Sequence, residues 1–153
     1  MSDVLTDDHA TRTERYERTM WLLAIALSLL ISHELDAMIR GEWNLLPGFG
    51  GLSESAAADT FNLLHVPLFA AIIIGVMSSS TRVRMRTAMA VEVFLIGHAI
   101  AHTALRGAEE YRFEAPVETI TVYGAALFSL VHLSFLRPSS ERQRPVARGA
   151  TRV

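Results

Sequence analysis

Four long apolar runs alternate with short polar segments along this chain. The runs cover residues 20–39, 61–77, 88–105 and 117–136. Each has about the 17–25 residues that an α-helix needs to cross the hydrocarbon core of a bilayer. The pattern predicts an all-α, integral membrane four-helix bundle, with an N-terminal tail over residues 1–19 and a disordered C-terminal tail over residues 137–153.

A soluble four-helix bundle is the alternative interpretation. It would need a polar stripe at helical spacing on every helix, because one face of each helix must meet water. The segment from Trp21 to Ile31 contains only Ser28 as a polar residue, and the segment from Val66 to Val76 contains none. These segments are apolar on all sides, which favours helices that face lipid.

The arginines predict the orientation of the bundle. Most of them lie before the first run, between the second and third runs, and after the fourth: Arg12, Arg15, Arg18, Arg82, Arg84, Arg86, Arg137, Arg142, Arg144, Arg148 and Arg152. The two other connections contain only Arg40, Arg106 and Arg112, beside six acidic residues. Positively charged segments stay on the inner side of a membrane. Both termini are therefore predicted to be cytoplasmic.

Composition narrows the possible chemistry. The 153 residues include no cysteine and no lysine, which excludes disulfides, thiolate metal ligands, cysteine nucleophiles and lysine Schiff bases. The formal net charge is −2, and the arginines form no continuous basic face, so nucleic-acid binding has no support. Histidines, carboxylates and arginines remain as the groups that could carry a function.

Ionisable side chains are unusually frequent within the apolar runs. Each costs at least about 2.5–3.5 kcal/mol in a transmembrane helix, so each needs a partner or a role. The residues concerned are His33, Glu34, Asp36, His65, Glu92, His98, His102, Glu118 and His132. The helical rise places four of the histidines within about 10 Å of the outer ends of three helices. This convergence predicts one polar site near the outer leaflet.

The spacing of the outer residues is typical of metal ligands. His98 and His102 at i, i+4 share a helical face, as do His33 and Asp36 at i, i+3. With His65 from the second run, they form the predicted metal site. Imidazoles with a carboxylate and no thiolate suit zinc, iron, manganese or copper. Glu34 is the candidate catalytic residue, as a general base or as a partner that orients a ligand.

Two further features each leave a structural and a functional interpretation open. Glu92 and His132 are predicted to meet near the inner ends of their helices, where a hydrogen bond between helices is favoured over a functional role. The outer loop, residues 41–60, contains Trp43 and Phe49. It is either a lid over the mouth of the bundle or a hairpin anchored at the interface by its tryptophan.

The segment His33-Glu34-Leu35-Asp36-Ala37, followed by Glu42-Trp43, resembles small bacterial four-span membrane proteins that carry an HELDA…EW signature and are functionally uncharacterised. The likeness extends over all four runs, including Leu64-His65-Val66-Pro67-Leu68-Phe69 and the later HxxxH. The resemblance implies that the segment around His33 and the outer histidines belong to one site. It also implies a location in a bacterial inner (cytoplasmic) membrane, and it implies no activity.

Three functions account for these residues. The first is a metal-dependent hydrolase or oxidoreductase that acts on a lipid or other hydrophobic substrate. The second is electron transfer through a b-type haem with two axial histidines, which leaves Glu34 and Asp36 without a role. The third is non-enzymatic: conduction of ions or protons, which four short helices would support best as a homo-oligomer, or packing as a subunit against a larger partner.

Overall fold

The computed structural model describes the backbone from residue 2 to residue 136 and the side chains from residue 14 to residue 136. It contains four α-helices and one short 3₁₀ helix. In chain order they are α1 (Ser2–Arg40), the 3₁₀ helix (Glu42–Leu45), α2 (Glu54–Val76), α3 (Thr81–Leu105) and α4 (Pro116–Leu136). The predicted all-α four-helix bundle is confirmed.

All four helices are long and apolar enough to cross a membrane, α1 over its portion Glu14–Arg40. The chain is therefore a multi-pass membrane protein. Large apolar side chains of α2, such as Leu63, Val66 and Ile74, are more than half exposed on the bundle surface. Side chains of this kind on a membrane helix suit contact with lipid.

The C-terminal ends of the predicted runs match the helices closely, whereas the helices begin earlier than the runs do. The segment over residues 1–19, predicted as a tail, is continuous with α1 from Ser2 onward. It contains no glycine or proline, and its alanine, arginine and glutamate residues favour a helix. Similarly, α2 begins at Glu54 because the Ser53 side chain accepts a hydrogen bond from the backbone N–H of Ala56. The predicted tail over residues 137–153 lies outside the described residues.

An apolar core fills the middle of the bundle. Leu23, Ala26 and Leu30 of α1 meet Leu95 of α3 and Ala125 of α4 there, and all five are buried. The most extensive packing is between α1 and α4, followed by α3 against α4, while α2 packs mainly on α3. This apolar layer separates two polar clusters. One lies at the end of the bundle where α1 and α3 finish, called here the outer end after its predicted orientation, and the other lies at the opposite, inner end.

A cap of aromatic residues covers the outer end. Gly41 ends α1 in the left-handed region, at a φ of 70°, and thereby turns the chain back toward the bundle. Trp43, just after this turn, is buried with its ring centroid 5.9 Å from that of Phe61, and the Phe49 ring lies 6.4 Å from the same ring. Both aromatic residues of the predicted lid therefore pack onto the bundle.

Candidate metal centre

Three histidines and one glutamate converge at the outer end of the bundle. They are His33 of α1, Glu42 of the 3₁₀ helix, and His98 and His102 of α3. Each offers one ligand atom, and these four atoms all lie within 4.8 Å of one another. This group of four residues, called here the outer cluster, could hold a metal ion.

The local structure explains how each side chain reaches the cluster. His98 and His102 are one helical turn apart, so they project from the same face of α3 toward α1. His33 meets them at ring-centroid distances of 4.9 Å each. Glu42 reaches the same point because the turn at Gly41 reverses the chain directly after α1. Secondary structure that is distant in sequence thus supplies a compact set of ligands.

The cluster is buried, yet its polar atoms are poorly paired. His33, Glu42 and His102 are each less than one-tenth exposed. Among the described residues, both ring nitrogens of His33, Nε2 of His98 and Oε2 of Glu42 have no hydrogen-bond partner. Buried polar groups without partners cost about 1–3 kcal/mol each. Several such atoms at one point call for a common partner.

The spacing of these atoms fits coordination better than hydrogen bonding. The carboxylate of Glu42 lies 3.4 Å from His33 Nε2 and 3.6 Å from His102 Nε2. Hydrogen bonds between such groups are shorter, about 2.7–2.9 Å when one partner is charged. In a tetrahedral zinc site with bonds of about 2.0–2.2 Å, neighbouring ligand atoms lie about 3.3–3.6 Å apart. The two separations, which involve Oε2 and Oε1 of Glu42 respectively, are close to that spacing, and the full set of four ligand atoms lies within 4.8 Å.

The charge state of Glu42 also suits a metal ligand. Burial alone would raise the pKa of this carboxyl, but contacts with the imidazoles of His102 and His33 outweigh it and hold the pKa well below its usual range. Glu42 is therefore an anion at neutral pH. One carboxylate with three imidazoles is a ligand set that zinc, iron, manganese and copper all accept.

Aromatic residues from the connection between α3 and α4 form one wall of the cluster. Phe113 places its ring centroid 5.6 Å from that of His33 and 5.0 Å from that of His102. The hydroxyl of Tyr111 lies 3.3 Å from Nδ1 of His102. Burial raises the pKa of the Tyr111 phenol, so it stays neutral. If His102 donates its Nδ1–H to this hydroxyl, its Nε2 lone pair faces the cluster, as in metal-binding histidines generally.

Asp36, one of the predicted ligands, lies outside the outer cluster. Its carboxylate is 3.5 Å from Nε of Arg40, whose Nη2 is 2.9 Å from Oε1 of the buried Glu118. Residues three positions apart differ by about 60° around a helix, so Asp36 need not follow His33 into a site. Arg40, one turn further along α1, draws this carboxylate toward α4 instead.

His65 and Glu34 form a separate pair beside the cluster, between α2 and α1. Nε2 of His65 lies 2.9 Å from Oε2 of Glu34, and its Nδ1 lies 2.7 Å from the carbonyl oxygen of Phe61. A carbonyl oxygen can only accept, so Nδ1 of His65 carries a proton. Nε2 then faces a carboxylate, which requires one further proton on either His65 or Glu34. Neither residue belongs to the group of four ligands.

Glu42 is the one member of the outer cluster that the sequence-based prediction missed. It stood outside the apolar runs, among the acidic residues of the outer connection. A signal was present in the sequence, because Gly41 immediately before it permits the sharp reversal that returns the chain to the helix ends. The adjacent Trp43, an aromatic residue able to bury such a turn, is the second part of that signal.

The predicted inner pair is formed in the structure. Nδ1 of His132 contacts Oε1 of Glu92, and both residues are fully buried. The hydroxyls of Tyr16 and Ser129 are buried as well, and neither has a hydrogen-bond partner among the described residues. These four residues lie on the inner side of the apolar layer, away from the outer cluster.

Comparison with known proteins gives a family and no activity. No curated protein and no solved structure matches the chain. One family model matches residues 19–139, which include all four apolar runs and every residue of the outer cluster. The resemblance to an uncharacterised family is confirmed at that level, whereas the HELDA…EW signature remains a prediction. The chain thus belongs to DUF6713, a family of unknown function.

Proposed function

We propose that this protein is a metal-dependent membrane enzyme, a hydrolase or an oxidoreductase, that acts on a hydrophobic substrate near the outer leaflet. The observation that carries the proposal is the convergence of four ligand atoms from three chain segments within 4.8 Å. The unpaired buried nitrogens of His33 and His98 support it. The proposed ligands are His33, Glu42, His98 and His102, in place of the set predicted from the sequence.

The residues present suit a catalytic role for the metal as well as a structural one. A zinc ion in such a site would lower the pKa of bound water to about 7, while iron or copper would supply redox chemistry. Structural zinc sites are usually closed by four ligands that include cysteine thiolates, which this chain lacks. A metal ion held by three imidazoles and one carboxylate could still bind water or substrate as a fifth ligand.

Glu34 and His65 are proposed to handle protons for this reaction. The hydrogen bond of His65 to Phe61 forces the pair to hold one exchangeable proton, as described above. Glu34 follows His33 directly in the chain, so this pair adjoins one of the proposed ligands. A carboxylate–imidazole pair with one shared proton, next to the metal ligands, can act as general base and then as general acid.

Electron transfer through haem accounts for the geometry less well. A haem iron takes its equatorial ligands from the macrocycle and uses only two axial protein ligands. Here four protein groups gather around a single point, with the Phe113 ring packed against two of the imidazoles. This arrangement favours an ion bound directly by protein side chains.

Metal analysis of the purified protein tests the proposal. The full chain, purified in detergent, is analysed by mass spectrometry for bound metals and by absorption spectroscopy. We expect near-stoichiometric zinc, iron, manganese or copper in the wild type and its loss in a His98→Ala/His102→Ala variant. His65→Ala is the matched control, since it removes a histidine at the same level that lies outside the four ligands. This control is expected to retain the metal.

Two results would overturn the assignment. Metal-free wild-type protein that also fails to take up these ions would remove the basis for an enzyme of this class. Loss of metal from His65→Ala equal to that from the double variant would show that the ligand set is wrong. Once a substrate is known, Glu34→Gln should reduce turnover while metal content stays unchanged, which separates proton transfer from metal binding.

A further inference from the structure

The three arginines of the outer connections come together around one cavity. Arg40 ends α1, Arg106 ends α3, and Arg112 lies in the connection to α4, yet all three line the same space of about 440 Å³. Cavities of about 300–1,000 Å³ are typical for small-molecule ligands. Two carboxylates line the same space, so guanidinium and carboxylate groups face one cavity. This mixture of charges suits a ligand that carries both an anionic and a cationic group.

Only one of these arginines has its charge balanced within the described part of the chain. Arg40 is held by Glu118 at 2.9 Å. Arg106 lies over the ring of Tyr123, 5.3 Å from its centroid, which orients the guanidinium without neutralising it. Between residues 14 and 136, neither Arg106 nor Arg112 has a carboxylate within 4.0 Å. Both guanidinium groups are exposed and form no ion pair with a described carboxylate.

Acidic residues are present on the same lining and restrict the ligand further. Glu109 and Glu114 also line the cavity and are exposed. A guanidinium group binds phosphate in a bidentate manner, whereas a carboxylate complements an amine. A ligand that carries both a phosphate and an amine can satisfy both kinds of side chain. The headgroup of a zwitterionic phospholipid has this composition.

The cavity adjoins the outer cluster. Tyr111 lines the cavity, and its hydroxyl is 3.3 Å from Nδ1 of His102 in the cluster. A headgroup bound by Arg106 and Arg112 would therefore lie on the other side of a single phenol ring from the proposed metal. The cavity is at the same end of the bundle as the aromatic cap, where lipid headgroups meet a spanning protein.

We infer that this cavity binds the phosphate of a phospholipid headgroup and that a phosphate-bearing lipid is the substrate class of the enzyme. In this arrangement Arg106 and Arg112 contact the phosphate. Arg40 positions the backbone of Arg112 through a 3.5 Å contact with the Arg112 carbonyl oxygen. Tyr111 separates the headgroup from the proposed metal ligands. The substrate role rests on the proposed function, whereas headgroup binding itself requires no metal.

Lipid binding to the full-length protein in a neutral detergent tests this inference. The probes are short-chain phosphatidylethanolamine, diacylglycerol with the same acyl chains, and inorganic phosphate, each titrated by isothermal calorimetry. The wild type should bind phosphatidylethanolamine at least tenfold more tightly than diacylglycerol. An Arg106→Gln/Arg112→Gln variant should lose that preference, while Arg82→Gln/Arg86→Gln, which removes two exposed arginines from the opposite end, should change it less than twofold.

Each outcome decides the matter. Equal binding of diacylglycerol, or equal loss in both double variants, would overturn the phosphate site. Competition by inorganic phosphate at the affinity of the lipid would support the phosphate site and identify free phosphate as a sufficient ligand. Binding that persists in the metal-free His98→Ala/His102→Ala variant is expected. This measurement also separates the inference from the proposed function. Headgroup binding can persist in a protein that binds no metal, and a protein that binds metal can fail to bind the headgroup.

Discussion

Breaking the inner pair gives a quantitative test of how this bundle is held together. Glu92→Met removes the carboxylate that contacts His132, and His132→Leu removes the imidazole. Each single variant leaves one fully buried polar side chain without its partner. The double variant removes both polar groups and replaces them with apolar side chains that suit the surrounding helices. The four free energies of unfolding form a double-mutant cycle.

The expected coupling follows from the burial of the pair. An unsatisfied buried polar group costs about 1–3 kcal/mol, and removing one member of a buried ion pair costs about 3–5 kcal/mol. Hydrogen bonds between membrane helices are weaker on average, about 0.6 kcal/mol with a maximum near 1.7, since the unfolded state in the membrane finds other partners. Among the described residues, Oε2 of Glu92 and Nε2 of His132 have no other hydrogen-bond partner that could compensate for the loss. We therefore expect a coupling of about 2 kcal/mol.

Unfolding in mixed micelles of neutral and denaturing detergent measures these energies. Tryptophan fluorescence reports the transition, because Trp21 and Trp43 lie near opposite ends of the bundle. A control cycle combines Glu92→Met with Thr103→Ala, which lies three turns away on the same helix and should give additive effects within about 0.5 kcal/mol. A coupling below about 0.6 kcal/mol for Glu92 and His132 would refute the view that this pair fastens α3 to α4.

Three further predictions concern the outer cluster and the contact between α2 and α3. Glu42→Gln should weaken zinc binding at least 100-fold in a chelator competition, because Glu42 is a proposed ligand. The control Glu114→Gln should leave the zinc affinity unchanged, since Glu114 lies outside the four ligands. If both variants bind zinc equally well, Glu42 is not a ligand. Tyr111→Phe should weaken zinc binding about tenfold, because Nδ1 of His102 loses its contact with the phenol hydroxyl. The control Tyr123→Phe should bind zinc as the wild type does. If Tyr111→Phe also binds zinc with the affinity of the wild type, Tyr111 has only a packing role. Gly75→Ala should destabilise the bundle by about 1–3 kcal/mol, because the new Cβ would meet the Thr87 side chain at 2.9 Å or closer. The control Gly97→Ala has open space around it and should leave the stability equal or higher. The opposite ranking of the two variants would contradict the close packing of α2 on α3.

The fold was predictable from the sequence because the bilayer imposes simple rules. A segment that is apolar on every side, with a length near 20 residues, has few alternatives to a spanning helix. The starts of α2 and α3 were less predictable, since Glu54 and Thr81 are polar residues that a hydrophobic run excludes but a helix accommodates. Polar turns can extend a helix beyond the membrane at little cost.

The candidate site was predictable only in part, and the reason lies in helix rotation. Position along the chain fixes the depth of a side chain, so His33, His98 and His102 could be placed at one level. The direction in which a side chain points depends on how each helix is rotated against its neighbours, which tertiary packing decides. The side chain of Asp36 points toward Arg40 and that of His65 points toward Glu34, so neither enters the outer cluster.

The left-handed turn at Gly41 has a consequence for any attempt to transplant this site. Three of the proposed ligands lie on α-helices, whereas the fourth, Glu42, lies on the short 3₁₀ helix that also contributes Trp43 to the aromatic cap. A designer who copied only the histidine positions of α1 and α3 onto another bundle would obtain an incomplete and uncovered cluster. The smallest portable unit includes the six residues from Gly41 to Leu46 together with the helix ends that they cover. One short segment therefore supplies both a proposed ligand, Glu42, and a buried side chain that covers the cluster, Trp43.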